Sequence, residues 1–222
     1  MHSYIKPIAR EFKRLANAEN AASMKAYMKN HFDFFGIKMQ ERRAVCKPYM
    51  KQTAILSPEE LKVITQELWH LAEREYQYFA MELLIYNKKV WQDSIVKLFE
   101  FCIVNKSWWD TVDFIATDCC GSYFKLFPGK ISITKNWNRS ENMWLQRSSL
   151  LFQNKYKQET DTAMLSDYIL HLSREKDFFI RKAIGWCLRE YSKTNAAWVI
   201  EFVSRNNLSS LSKKEALKNI QV

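Results

Sequence analysis

Along most of this chain apolar residues recur at helical spacing, and the strict alternation of a half-buried strand is nearly absent. Only four glycines and four prolines interrupt 222 residues, so long stretches can stay helical. The stretch "LSPEEL" predicts a helix start, with Ser57 as N-cap, Pro58 in the first turn and Glu60 closing a capping box. "LSKKEAL" predicts another, with Ser212 and Glu215 in the same roles. "CCGSYFKLFPGK" breaks the pattern with Gly121 and a Pro128–Gly129 turn.

The helical stretches resemble one another. "EREYQYFAMELL", "SWWDTVDFIATD", "ENMWLQRSSLLF" and "KDFFIRKAIGWCL" each open on aromatic or polar residues, carry a charged or polar centre and finish apolar. Tyr78, Val112, Leu145 and Ile180 follow at spacings of 34, 33 and 35, and Asp113, Arg147 and Lys182 at 34 and 35. A period in the mid-thirties predicts helix-pair repeats, somewhat shorter than the ~40–47 residues of HEAT repeats. Stacked pairs form a solenoid whose equivalent slots line its concave wall, which would bring those three charged residues onto one surface. No linker or low-complexity segment divides the chain, so residues 1–222 read as a single repeat domain.

Composition adds a partner class. There are 34 Lys plus Arg against 24 Asp plus Glu, a net charge of +10, and aromatic residues make up 14%. An excess of cations with stacking surfaces suits nucleic acid first and an anionic membrane second. No apolar run approaches the ~20 residues needed to span a bilayer, and "MHSYIKPIAREFKRL" does not read as a signal peptide. Five cysteines without CxxC spacing read as reduced thiols of a cytoplasmic protein. With so few glycines there is no GxGxxG, Walker loop or GxSxG elbow, and the four histidines form no HExxH pair. Neither a cofactor nor a metal site is expected.

Four groups of residues remain as candidates. In "NKSWWDTVDFIA", Trp109 and Asp113 stand four apart and share a helix face, an indole beside a carboxylate. Such a pair suits something flat and positively charged. Trp144 and Arg147 stand three apart; Trp108 and Trp144 read as core, and Arg147 reads either as a ligand-facing cation or as the neutralising partner of Asp113. Lys182, Trp186, Arg189 and Lys193 fall on one face of a fourth helix, three cations and an indole that suit a phosphodiester backbone. From Lys25 to Lys51 seven basic residues, Lys38, Arg42 and Arg43 among them, face only Asp33 and Glu41. That run is either a solvated face or a phosphate-gripping patch, with Tyr27, Phe34 and Phe35 interleaved.

"SWWDTVD", "WLQR" and "FFIRKAIGWCLREYSKT", in that order, with "YMKNHFDFFGI" and "ERR" nearer the start, resemble the AlkD family of DNA alkylation-repair glycosylases over nearly the whole chain. The resemblance implies an all-α solenoid of HEAT-like repeats gripping duplex DNA in a basic concave channel. It implies hydrolysis of the N-glycosidic bond of N3- and N7-alkylated purines, releasing 3-methyladenine or 7-methylguanine. Trp109, Asp113 and Arg147 would form the catalytic group, with Trp186 as the other wall and Tyr27 on the DNA-binding surface. The enzyme would act as a monomer without metal or cofactor.

Two other readings stay open at this point. One is a non-catalytic repeat protein binding DNA or RNA through the same basic surface, although a carboxylate in an anion-binding channel weakens such binding. The other is a protein-interaction scaffold. Salt separates the scaffold from the rest: phosphate contacts predict that duplex affinity falls by orders of magnitude from about 50 to 200 mM salt. A fluorescence-anisotropy titration showing weak, salt-insensitive binding would instead favour the scaffold.

Overall fold

The computed structural model describes residues 1–52 and 56–220. Among them the chain is all-helical, with no strand and one isolated bridge between Asp33 and Glu73, consistent with the expected array of helical repeats. No helix among the described residues is long and apolar enough to cross a membrane. The chain divides into two compact units, Met1–Ile95 and Val96–Val222.

The first unit holds α1 (Ile5–Arg14), α2 (Ala18–Tyr27), α3 (Met39–Gln52), α4 (Pro58–His70) and α5 (Arg74–Tyr86). Ile5, Ile8 and Phe12 share one stripe of α1 and are wholly buried, as are Leu61, Ile64 and Leu68 of α4. Ser57 caps α4 in the capping box read from the sequence, with Glu60 closing it. The segment before α3 is held from below. Glu75, fully buried at the start of α5, accepts N–H bonds from Phe35 at 3.1 Å, Gly36 at 2.9 Å and Ile37 at 3.1 Å. Burial holds its carboxyl above the ordinary range, and these bonds oppose that rise without cancelling it. Gly36 has φ +86°, and a Cβ there would lie 2.2 Å from the Asn17 carbonyl oxygen.

The second unit runs through α6 (Val96–Val104), α7 (Trp109–Phe114), a π-helical segment Ile115–Cys120, α8 (Gly121–Leu126), α9 (Ser132–Asn138), α10 (Met143–Leu151), α11 (Thr162–Leu172), α12 (Phe178–Ser192), α13 (Ala196–Arg205) and α14 (Ser210–Ala216). α10 packs on α6, α7, α9, α11 and α12, and α12 on α13 and α14. Its polar bonds carry the period read from the sequence. Asp113 bonds to Arg147 and Thr134 to Tyr168 across 34 residues, Gly121 to Tyr156 across 35 and Lys182 to Glu215 across 33.

Two local expectations are corrected. Gly121 does not break a helix; it continues one, and a Cβ there would stand 2.7 Å from the Phe152 carbonyl oxygen, so the glycine permits close packing. Ser212 is not a cap, because Ser209 takes that place and accepts the Ser212 N–H at 3.1 Å. The Ser212 hydroxyl instead donates to the Arg181 carbonyl at 2.9 Å.

Gly36→Ala is expected to destabilise the protein by about 3 kcal/mol, from left-handed backbone strain together with the Asn17 contact. Urea denaturation checks this; a loss below about 1 kcal/mol would mean that the loop yields easily.

Candidate catalytic site

α7 sorts its side chains by phase. Thr111 and Val112 are wholly buried, and Ile115 and Ala116 continue that buried side. Trp109 and Asp113 therefore lie together on the other side, both half-buried. Directly after Asp113 comes the π-helical segment, a device that recurs at functional sites. Within it the Thr117 hydroxyl donates to the Asp113 carbonyl oxygen at 2.8 Å.

Arg147 reaches Asp113 from α10. Its Nε donates to Oδ1 at 2.7 Å and a terminal nitrogen to Oδ2 at 2.8 Å, a two-pronged pair. The other terminal nitrogen donates to the Phe179 carbonyl of α12. Two N-caps set this geometry: the Asn142 side chain accepts from Trp144 and Leu145, and the Asp177 side chain from Phe179 and Ile180. Arg147 is only 5% exposed, so of the two roles open in the sequence it takes that of partner to Asp113. Burial raises the Asp113 carboxyl above its ordinary 3.8, the Arg147 guanidinium opposes that rise, and Asp110 adds to it. Both carboxyl oxygens accept N–H bonds, the arrangement of an ionised carboxylate.

Trp108 and Trp144, expected in the core, are half-buried instead. They cluster with Phe179, whose ring centroid lies 5.1 Å from each indole. Phe179, which supplies both a ring and the carbonyl held by Arg147, was not singled out from the sequence. Two adjacent phenylalanines at a helix start carry no signal of that double role.

The face of α12 expected to offer three cations is largely occupied. Glu215 of α14 accepts from both Lys182 and Arg189, and its carboxyl is held below the ordinary range mainly by the Lys182 bond. Gly185 lets α14 lie this close, since a Cβ there would fall 2.5 Å from the Glu215 Cβ. Lys193 pairs with Glu190 at 2.6 Å, and the Trp186 indole N–H donates to the same Glu190 at 3.3 Å. Trp186 is half-buried and Lys193 exposed.

Tyr27, Lys38 and Arg43 belong to the first unit. Tyr27 ends α2 and is 69% exposed, and Lys38 is exposed ahead of α3. Arg43 is exposed and donates to Glu82 at 2.7 Å. Its neighbour Arg42 is buried against the same Glu82. Phe35 is buried among Phe12 and Tyr76, so it serves the core and not a basic patch. Among the described residues no group of three or more His, Cys, Asp or Glu could hold a metal ion.

Residues 8–220 match the model of a family described as DNA alkylation repair enzyme. Among solved structures, the chain is similar to a protein from Enterococcus faecalis described as a predicted DNA alkylation repair enzyme. That match has 36% identity and a TM-score of 0.87, over 92% of this chain and 96% of that one. It is also similar to smu.31 from Streptococcus mutans UA159, at 16% identity and a TM-score of 0.62, over 91% and 98% of the two chains. The latter likeness is one of fold. No curated protein matches the chain.

Arg147→Ala leaves Asp113 half-buried without its counter-charge. The expected outcome is a loss of about 3 kcal/mol in urea denaturation and a further rise of the Asp113 carboxyl, followed by NMR titration. An unshifted carboxyl would show that the pair does not hold Asp113.

Proposed function

Because the chain belongs to the DNA alkylation repair enzyme family, we propose that it is a glycosylase acting on duplex DNA. It hydrolyses the N-glycosidic bond of N3- and N7-alkylated purines, as a cytoplasmic monomer using neither metal nor cofactor. The observation that carries this reading is the Asp113 carboxyl, held on both oxygens by Arg147 and one helical turn from Trp109.

Alkylation at N3 or N7 places a formal positive charge on the purine. The base is then already a good leaving group, and no strong general acid is required. As the C1′–N bond breaks, positive charge moves to the deoxyribose in an oxocarbenium-like transition state. A carboxylate about 4 Å from that centre is worth roughly 4 kcal/mol at an effective dielectric near 20. Only the share gained between ground and transition state speeds the reaction. Asp113 also orients the attacking water, and the electron-rich face of Trp109 attracts the cationic nucleotide by about 0.5–2 kcal/mol. Arg147 is a positioning residue: it aims the carboxylate and keeps it charged, and its burial leaves little of it to grip phosphate. Trp186, Tyr27, Lys38, Arg43 and Lys193 are the candidates for contacts with DNA. A non-catalytic binding module has no use for a carboxylate held ready in this way.

Asp113→Asn is expected to cut release of 3-methyladenine or 7-methylguanine from methylated duplex DNA by about a hundredfold or more. Duplex affinity should stay the same or tighten, because a negative charge is removed. Release at the wild-type rate would remove Asp113 from the chemistry. In the wild type, lowering the pH protonates Asp113, so release should fall in acid with a midpoint above 3.8. A single-turnover rate that stays flat down to that value would contradict the need for an ionised carboxylate.

A further inference from the structure

A threonine inside a helix has a hydroxyl short enough to reach back to the carbonyl four residues earlier. Thr117 does this within the π-helical segment, and the carbonyl it reaches is that of Asp113, at 2.8 Å. Thr117 is only 8% exposed, so water competes little for this bond. A second acceptor does compete: the Asp118 Oδ2 lies 2.9 Å from the same Thr117 oxygen.

A hydroxyl carries one proton and donates to one acceptor at a time. The Asp113 carbonyl and the Asp118 carboxylate therefore divide it between them, and a bare carboxylate is the stronger acceptor. Asp118 is not bare. Its Oδ1 accepts from Lys155 at 2.6 Å, and that lysine side chain is exposed. By drawing on the carboxylate, the ammonium weakens its pull on the Thr117 proton and leaves that proton to Asp113. Asp113 is then held at both ends. Arg147 binds both oxygens of its side chain, and Thr117 binds its backbone carbonyl. The second tie falls where α7 gives way to the π-helical segment and the regular helical ladder changes.

We propose that Thr117 is a positioning residue for the Asp113 carboxylate, with Asp118 and Lys155 governing which acceptor its hydroxyl serves. For its effect on rate this rests on the reading of Asp113 as the carboxylate of a glycosylase. Without the tie the backbone at Asp113 shifts and the pair with Arg147 loosens. The carboxyl, less opposed by the guanidinium, then rises further. The charged groups acting on Asp113 are Arg147 of α10 and Asp110 of its own helix, and the variants below alter neither.

The test follows single-turnover base release from methylated duplex DNA at saturating enzyme, together with NMR titration of the Asp113 carboxyl. Thr117→Val, nearly isosteric, should slow release by about tenfold, leave duplex affinity unchanged and move the carboxyl midpoint upward. Thr117→Ser keeps the hydroxyl and should return both readouts toward wild type. Lys155→Met should act in the same direction but less, about threefold in rate, because Asp118 then draws the proton away. Adding Asp118→Asn to it should restore both readouts, since an amide donates to the Thr117 oxygen and leaves the hydroxyl proton to Asp113. A merely structural role for these side chains predicts no such rescue. Lys155 is exposed, so this pair of variants decides the matter even where Thr117→Val does not fold. A carboxyl midpoint in Thr117→Val like that of wild type overturns the proposal, and so does a double variant no better than Lys155→Met. If wild type releases no methylated purine, the glycosylase reading fails and the carboxyl titration alone decides the role of Thr117.

Discussion

A carboxylate withdrawn from water must be answered by charge or hydrogen bonds, and much of the second unit is disposed around that requirement at Asp113. The answer comes from Arg147, 34 residues later, and it is reached only because several local choices agree. α7 buries Thr111 and Val112, which turns Asp113 toward α10. The Asn142 cap fixes where α10 begins, and hence where Arg147 points. The Asp177 cap fixes the start of α12 and places the Phe179 carbonyl where it takes up a further guanidinium N–H. The arginine is thereby committed before any ligand arrives, and the carboxylate is aimed in advance. Aim fixed during folding costs nothing at the moment of reaction.

Much of this was legible in the sequence, and the parts that were not share one cause. Spacing revealed the repeat and put Asp113 and Arg147 in the same slot; the structure joins them directly. The cations of α12 read as bare because their partner lies in a later helix, outside their own sequence neighbourhood. One further period from Lys182 leads to Glu215, which holds it and Arg189. Local spacing suggests a capping box for Ser212 and Glu215. That chemistry competes with long-range partners which a local pattern does not display, and here the partners on α12 win. Trp108 and Trp144 read as core because indoles usually are, but their place is a half-buried cluster around Phe179. Phe35 was read with its cationic neighbours although its ring turns to Phe12 and Tyr76.

The net charge of +10 is similarly a poor map of the surface. Arg42, Arg43, Lys182 and Arg189 are all engaged by one of two carboxylates, Glu82 and Glu215, each of which holds two cations. Shared carboxylates of this kind leave one surplus positive charge per group while fixing where it sits. Arg42 and Arg189 spend their charge on packing, whereas Lys38 stays exposed. An electrostatic footprint in this protein depends on which cations lack a nearby acid, and not on how many cations there are.

The π-helical segment Ile115–Cys120 lies between Asp113 and the close contact of Gly121 with Phe152. An ordinary helix advances about 100° per residue, and a π turn accommodates one residue more than the regular count. The wide turn takes up that residue locally, so the faces on either side of it stay nearly those of a plain α-helix. The carboxylate and its anchor are thereby set one residue further apart along the chain without turning Asp113 away from Arg147.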